Sequence, residues 1–309
     1  MVVDEGEAQT RGARRYAIDG TAFDAPPLAP GLYVVATPIG HLRDVSLRCL
    51  ETLAAASLVA CEDTRMTGKL LQRYGIKARM RSYDDHAREA DREALLARVA
   101  EGGAVALVSD AGTPLVSDPG FRLVAEARAR GLAVIPVPGP SALIAALSAA
   151  GLPTDRFAFE GFLPPKREAR RARIQTLDRF GGTIALYEAP QRLVAALTDL
   201  VEILGEGREA AVARELTKSF EEIRRGTLAV LLRHFTETAP RGEIVILLAP
   251  PDAAPMEATD LDGALRSAME TMRVRDAARE VSALFGIPRS EAYARALALR
   301  AEGGGENET

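Results

Sequence analysis

From Gly31 onward, short β-branched apolar runs alternate with stretches whose apolar residues recur at helical spacing. That alternation predicts a mostly parallel sheet covered by helices. The runs Leu32–Ala36, Leu58–Cys61, Ala104–Ser109 and Ala133–Val137 read as strands. Between them Ser46–Ala56, Arg65–Tyr74, Arg88–Glu101 and Phe121–Arg130 carry apolar residues on one face and charges on the other, as amphipathic helices do. Gly75 and Gly131 stand where two of these helices need a C-terminal cap.

A second α/β series follows Gly151, with strands at Phe157–Glu160, Thr183–Tyr187, Ala210–Glu215 and Glu243–Leu248 and helices at Lys166–Arg179, Gln191–Leu204 and Thr227–Phe235. Past a Pro/Ala linker at Asp252 to Pro255, three short helices are predicted at Leu261–Met272, Asp276–Phe285 and Ser290–Arg300. Gly286-Ile287-Pro288 makes the last two a helix-turn-helix. The expected organisation is an α/β domain at 31–152, a second at 153–251 and a helix-turn-helix-like appendage at 256–301. Residues 1–30 are expected to form an extension without fixed structure, and 302–309 a disordered Gly- and Glu-rich tail.

Composition narrows the class. At 309 residues with 47% hydrophobic and 27% charged positions, the chain has the makings of an ordinary soluble protein with full cores. Two cysteines and three histidines, with no C-x-x-C spacing, predict neither a disulfide framework nor a metal site, and fit a reducing, cytoplasmic setting. The N-terminus has no apolar stretch after its charges and does not read as a secretory signal. Leu132 to Thr154 is free of charge, but Pro136, Pro138, Gly139 and Pro140 interrupt it, so a strand, a turn and a buried helix are expected rather than a membrane span. The net charge of −4 offers no global attraction to nucleic acid; RNA binding would need a local basic surface.

In an open α/β sheet, ligands bind beyond the carboxyl ends of the strands. There this chain has Thr37-Pro38-Ile39-Gly40-His41, Ser109-Asp110-Ala111-Gly112-Thr113-Pro114 and Ser117-Asp118-Pro119-Gly120. Asp118 and Pro119 fit the start of a helix, as N-cap and first helical residue, whereas Asp110 suits a grip on a ligand's polar groups. Glu62-Asp63-Thr64-Arg65 reads equally as a capping cluster or as carboxylates and an arginine that orient a hydroxyl or a phosphate. His86, beside two aspartates, suits either the surface or proton transfer. Lys166, Arg167, Arg170 and Arg171 share one predicted helix; such a run is usually a solvated face, but beside a cleft it would neutralise RNA phosphates.

Taken in order, these loops and the segments Pro138-Gly139-Pro140, Glu160-Gly161-Phe162-Leu163-Pro164 and Arg214-Glu215-Leu216-Thr217-Lys218 resemble the ribosomal small-subunit RNA cytidine-2′-O-methyltransferases of the tetrapyrrole-methylase-like superfamily. The resemblance spans about Gly31 to Leu248; His41 and Ala87 stand where that family typically has asparagine. It implies two α/β domains of the tetrapyrrole-methylase type with a cleft between them, a helix-turn-helix-like appendage, and a homodimer. S-adenosyl-L-methionine would sit in the cleft, and the substrate would be a decoding-centre cytidine of 16S rRNA, free or in the 30S subunit. By motif, Ile39, Asp110, Thr113, Ser141, Ala142, Tyr187 and Ala213 would line the cofactor pocket, and no metal is implied. Asp63 or Glu215 would be the base, Lys218 would stabilise negative charge, and Arg65 would join the helix cations in holding RNA. The alternatives are a tetrapyrrole C-methyltransferase, disfavoured because Ser109-Asp110-Ala111 replaces that branch's usual Gly-Asp-Pro, and a noncatalytic RNA-binding or assembly protein.

Overall fold

The computed structural model describes residues 14–84, 87–178, 180–251, 258–285 and 287–303, and the chain divides near Pro250 into two compact units. His86 and the 304–309 part of the expected tail lie outside the described residues. The first unit opens with a difference from expectation. Part of the segment taken as an unstructured extension is an antiparallel hairpin, β1 (Arg15–Ile18) and β2 (Thr21–Asp24), turning on Asp19 and Gly20. Both turn residues have positive φ, 48° and 87°, as a two-residue Asp-Gly hairpin turn requires. Apolar burial holds it down: Tyr16 stacks on Phe23 at 5.5 Å and joins Leu50, Leu53 and Tyr74 in one core, while Ala17 N donates to Tyr74 O.

Strands β3 (Gly31–Val35), β4 (Leu58–Cys61), β5 (Met80–Ser82), β6 (Ala104–Val108) and β7 (Val134–Val137) form a parallel sheet in the order β5-β4-β6-β3-β7. Helices α1 (Leu47–Ala55), α2 (Thr64–Arg73), α3 (Glu89–Ala100) and α4 (Phe121–Ala129) accompany it. The uninterrupted apolar runs reflect burial on both faces. Val35 and Val59 pack with α1 on one side, and Leu32, Val105 and Leu107 pack with α3 and α4 on the other.

The uncharged run 132–154 becomes β7 and the short helix α5 (Ala142–Ala149). Leu143, Ala146 and Leu147 of α5 pack with Ile39 against Ala185, Ala211 and Val245 of the second sheet, an interface in which alanines let the elements approach closely. Each well-buried leucine there contributes about 1.5–3 kcal/mol.

The second sheet has the order β11-β10-β12-β9-β8, from β8 (Phe157–Phe162), β9 (Thr183–Glu188), β10 (Glu209–Arg214), β11 (Glu222–Thr227) and β12 (Ile244–Leu248). Only β8 and β9 are parallel; β12 runs antiparallel to both β9 and β10. The beginning of β12 therefore lies beside the end of β9, with Ile244 opposite Glu188. Helices α6 (Arg167–Leu177), α7 (Pro190–Leu204) and α8 (Leu228–Glu237) complete this layer. Strand β11 has no apolar alternation to announce it: it is an edge strand of Glu222, Arg224 and Arg225, and such charge discourages pairing with other chains.

The second unit, taken by itself, contains α9 (Ala258–Thr271), α10 (Val274–Phe285) and α11 (Arg289–Gly303) around Leu261, Leu265, Val281, Ala296 and Leu299. Arg295 of α11 ties to Asp262 of α9 through a 2.7 Å bond from Nε.

Candidate functional site

A cavity of about 440 Å³ opens where the carboxyl ends of the first sheet face the end of β9 and the start of β12. Its first wall comes from the loops after β3, β6 and β7. Those after β3 and β6 are fastened by a reciprocal pair: Thr37 N donates to Gly112 O at 2.8 Å and Gly112 N to Thr37 O at 3.0 Å. Gly112 sits at φ +77°, and a Cβ there would press within 3.3 Å of Ile39, so glycine is needed for that pair. Thr113 Oγ1 donates to Pro140 O at 3.1 Å and links the β6 loop to the β7 loop. Ser141 then begins α5; its hydroxyl makes no capping bond, and with Ala142 it brings the helix N-terminus to the cavity.

The opposite wall is Phe162, Tyr187 to Pro190, Leu216 and Gly242 to Val245. Tyr187 is braced edge-on by Phe159 and Phe162, and burial raises the pKa of its phenol. Gly40 sets how closely the loops after β3 and β10 meet: a Cβ there would stand 2.5 Å from Lys218 Cγ and 3.0 Å from Leu216 O.

Charge distinguishes this cavity. Glu62, Asp110, Asp118, Glu188 and Glu243 line it, and no lysine or arginine does among the described residues. Glu188 is only 2% exposed; its Oε1 accepts from Ala189 N and lies 3.2 Å from Arg192 Nε, while Oε2 has no hydrogen-bond partner. Burial outweighs both contacts and raises the Glu188 pKa above the usual carboxylate range. Backbone strain gathers here too. Leu115, Ser117, Glu215 and Thr217 have positive φ, and such conformations cost about 1–3 kcal/mol each and cluster at functional sites.

Of the residues expected at the cofactor, Ile39, Asp110, Thr113, Ser141, Ala142 and Tyr187 all line this cavity. Ala213 does not; it is fully buried behind the wall with Leu216 and Val245. Asp118, read as a helix N-cap, lines the cavity instead, because the N-cap of α4 is Gly120, two residues later, at φ +123°. Asp63 is the N-cap of α2: it accepts from Arg65 N at 2.7 Å, pairs with the Arg65 guanidinium and does not line the cavity. Those bonds from Arg65 lower its carboxyl to about 2, which makes it a weak base. Glu215 and Lys218 also stand outside the cavity, paired at 2.9 Å, with Lys218 reaching Glu243 at 3.2 Å and lowering the Glu215 pKa.

The arginines of the basic helix, expected to hold RNA, are largely paired within the fold. Arg170 is buried on Asp199 at 2.7 Å, Arg167 meets Asp199 and Glu202, and Arg171 pairs with the same two carboxylates. These partners are on α7, so most of the charge is neutralised within the fold. Lys166 is exposed, and so is Arg65 despite its tie to Asp63.

The model of the tetrapyrrole (corrin/porphyrin) methylases matches residues 31–232. The ribosomal RNA small subunit methyltransferase I of Mesorhizobium japonicum is 49% identical over 281 residues, covering 91% of this chain and 96% of that protein. This chain belongs to the ribosomal RNA small subunit methyltransferase I family. The Synechocystis member is 48% identical over 88% of this chain and 99% of its own. The family's own C-terminal helix-turn-helix model, that of RsmI, matches residues 255–300. Outside the methyltransferase I family the fold is shared with a Thermus thermophilus uroporphyrin-III C-methyltransferase solved with S-adenyl homocysteine, at 19% identity and TM-score 0.51, covering 71% of this chain and 97% of that one.

Proposed function

We propose that this chain transfers a methyl group from S-adenosylmethionine to the 2′-hydroxyl of a cytidine in 16S rRNA, free or within the 30S subunit. The observation that carries the cofactor is the acidic cavity, which among the described residues has no lysine or arginine on its walls. A ligand bearing a sulfonium and an ammonium is stabilised by such a lining. The N-terminus of α5 at Ser141 and Ala142 suits the ligand's one carboxylate, and Ile39, Val116, Leu216 and Val245 offer apolar cover to its base. The RNA substrate follows from the family, whose members are named for it.

When bound, the cofactor supplies a methyl already activated on sulfur, so the chain's remaining tasks are alignment and removal of the ribose proton. Alignment alone can contribute up to about 7–11 kcal/mol. Asp63 and Glu215 are held by cations away from the cavity; Glu188 is one of the residues that line it, has a buried carboxylate oxygen without a hydrogen-bond partner, and is the proton acceptor in this proposal. Asp63 and the Glu215–Lys218 pair hold the loops around it. Asp110 Oδ1 accepts from Asp63 N at 3.0 Å, which steadies the carboxylate that meets the ligand.

The direct test is incubation of unmodified small subunits with methyl-labelled cofactor, followed by nucleotide mapping. Label at a cytidine ribose is the expected result, and label on a base, or none, would remove the proposal. In a second test, Asp110→Ala is expected to weaken S-adenosylhomocysteine binding about 10- to 100-fold by calorimetry, the loss of one charge-assisted hydrogen bond of roughly 1.5–3 kcal/mol. Unchanged affinity would mean that Asp110 does not touch the ligand. The proposal includes a homodimer in the cytoplasm, which light scattering and fractionation address. Among the described residues no helix is long and apolar enough to cross a membrane.

A further inference from the structure

One residue further along, the loops that line the acidic cavity line a second one. Ile39 and Leu216 face the first; Gly40, Thr217 and Lys218 face a second of about 560 Å³. The seam between them is closed by His41 N donating to Thr217 Oγ1 at 3.0 Å. The charge reverses across that seam. His41, Arg43, Arg73 and Lys218 line the second cavity with the hydroxyls of Thr217 and Ser219; among the described residues no carboxylate lines it, although the two arginines pair with Asp19 and Lys218 with Glu215 and Glu243. Lys218 connects the two sides, because its ammonium also meets Glu243, which lines the first cavity.

We propose that this second cavity holds a phosphodiester of the RNA strand adjacent to the nucleotide whose ribose enters the acidic cavity; the inference rests on the RNA reading above. Asp19, at the tip of the β1–β2 hairpin, marks where the anion sits. Arg43 lies 3.6 Å from its Oδ2 and Arg73 3.5 Å from its Oδ1, so two guanidiniums from separate segments converge on one carboxylate. All three side chains are substantially exposed and the pairs are long, so Asp19 is held weakly and gives way to a phosphodiester, which presents the same single charge on two oxygens and is held by the rest of the bound strand as well. The cations themselves are well placed. Tyr74 OH donates to Leu42 O at 2.7 Å and fixes the short 3-10 turn carrying Arg43, while Arg73 lies over the Tyr74 ring. His41 Nδ1 accepts from Arg43 N, which leaves Nε2–H as the neutral ring's donor. A solvated basic face would spread its charges along one helix; these come from three segments and meet at one hollow beside the site of chemistry.

The test uses the full chain and a synthetic RNA containing the target cytidine, with affinity measured against KCl concentration. For the Arg43→Ala/Arg73→Ala double variant, the Kd for RNA should rise at least tenfold. The slope of log affinity against log salt should fall by roughly 0.7–0.9, one phosphate's share. S-adenosylhomocysteine affinity should stay as in the unaltered chain. Asp19→Asn should act in the opposite direction and tighten RNA binding several-fold. If the unaltered chain methylates small subunits while the double variant keeps its affinity and salt slope, this site is overturned and the function stands. An unaltered chain that transfers no methyl to RNA overturns both. Should the double variant fail to fold, Asp19→Asn decides alone, and unchanged affinity there sinks the proposal.

Discussion

Glu188→Gln is expected to lower turnover about 10²–10⁴-fold, the range contributed by a positioned general base, while leaving S-adenosylhomocysteine affinity within a few-fold. Glutamine keeps the shape and can still accept from Ala189 N, so the effect isolates proton acceptance at Oε2. The pH profile gives an independent reading. Burial raises the Glu188 pKa, so it becomes a competent base only as pH rises through a value above the ordinary glutamate range near about 4.3. The acid limb of kcat/KM should lie there in the unaltered enzyme and vanish in the variant. A variant with unaltered turnover, or with turnover preserved and cofactor affinity lost, would show that Glu188 binds rather than accepts a proton.

Asp199→Ala should destabilise the first unit by about 3–5 kcal/mol, the usual cost of removing one partner from a buried ion pair. Asp199 is 1% exposed and receives Arg167, Arg170 and Arg171, and Arg170 is itself buried, so alanine would strand a cation between α6 and α7. Denaturant unfolding followed by circular dichroism measures the loss. Replacing Asp199 and Arg170 together by apolar residues of similar volume should recover most of it, because the cost lies in the uncompensated charge. Burial pushes the Asp199 carboxyl up, but hydrogen bonds from the three arginines outweigh it and the net shift is downward. This contribution is therefore present above the unfolded carboxylate value, near about 3.9, and lost as pH falls through the lower folded value. A single alanine variant as stable as the parent would show that the cluster is not buried in solution.

Local pattern made much of this architecture legible. Leu58–Cys61 occupies the residues its apolar run predicts, and Ile39, Asp110, Thr113 and Ser141 share one cavity because each lies in a loop that follows a strand of the first sheet. Pairing across distance was not legible. Arg170 and Arg171 look like a solvated basic face until α7, some thirty residues on, supplies Asp199 and Glu202. Glu188 escaped notice because a glutamate ahead of Ala-Pro resembles a helix entry. The usable signal was a charge continuing an apolar strand that the structure extends one residue beyond Tyr187. Asp118 deceived in the opposite sense: Asp-Pro suggests a helix start, but Gly120 at positive φ makes the turn and leaves the carboxylate to the cavity.

The β1–β2 hairpin bears on where the molecule can be cut. The family match begins at residue 31, yet Tyr16 and Ala25 are buried in the same cluster as Leu50, Leu53 and Tyr74. A chain trimmed to the family boundary would lose Tyr16 and Ala25 and leave Leu50, Leu53 and Tyr74 more wetted, and would take away Asp19 from between Arg43 and Arg73. The cooperative folding unit thus starts upstream of the segment that the family model covers.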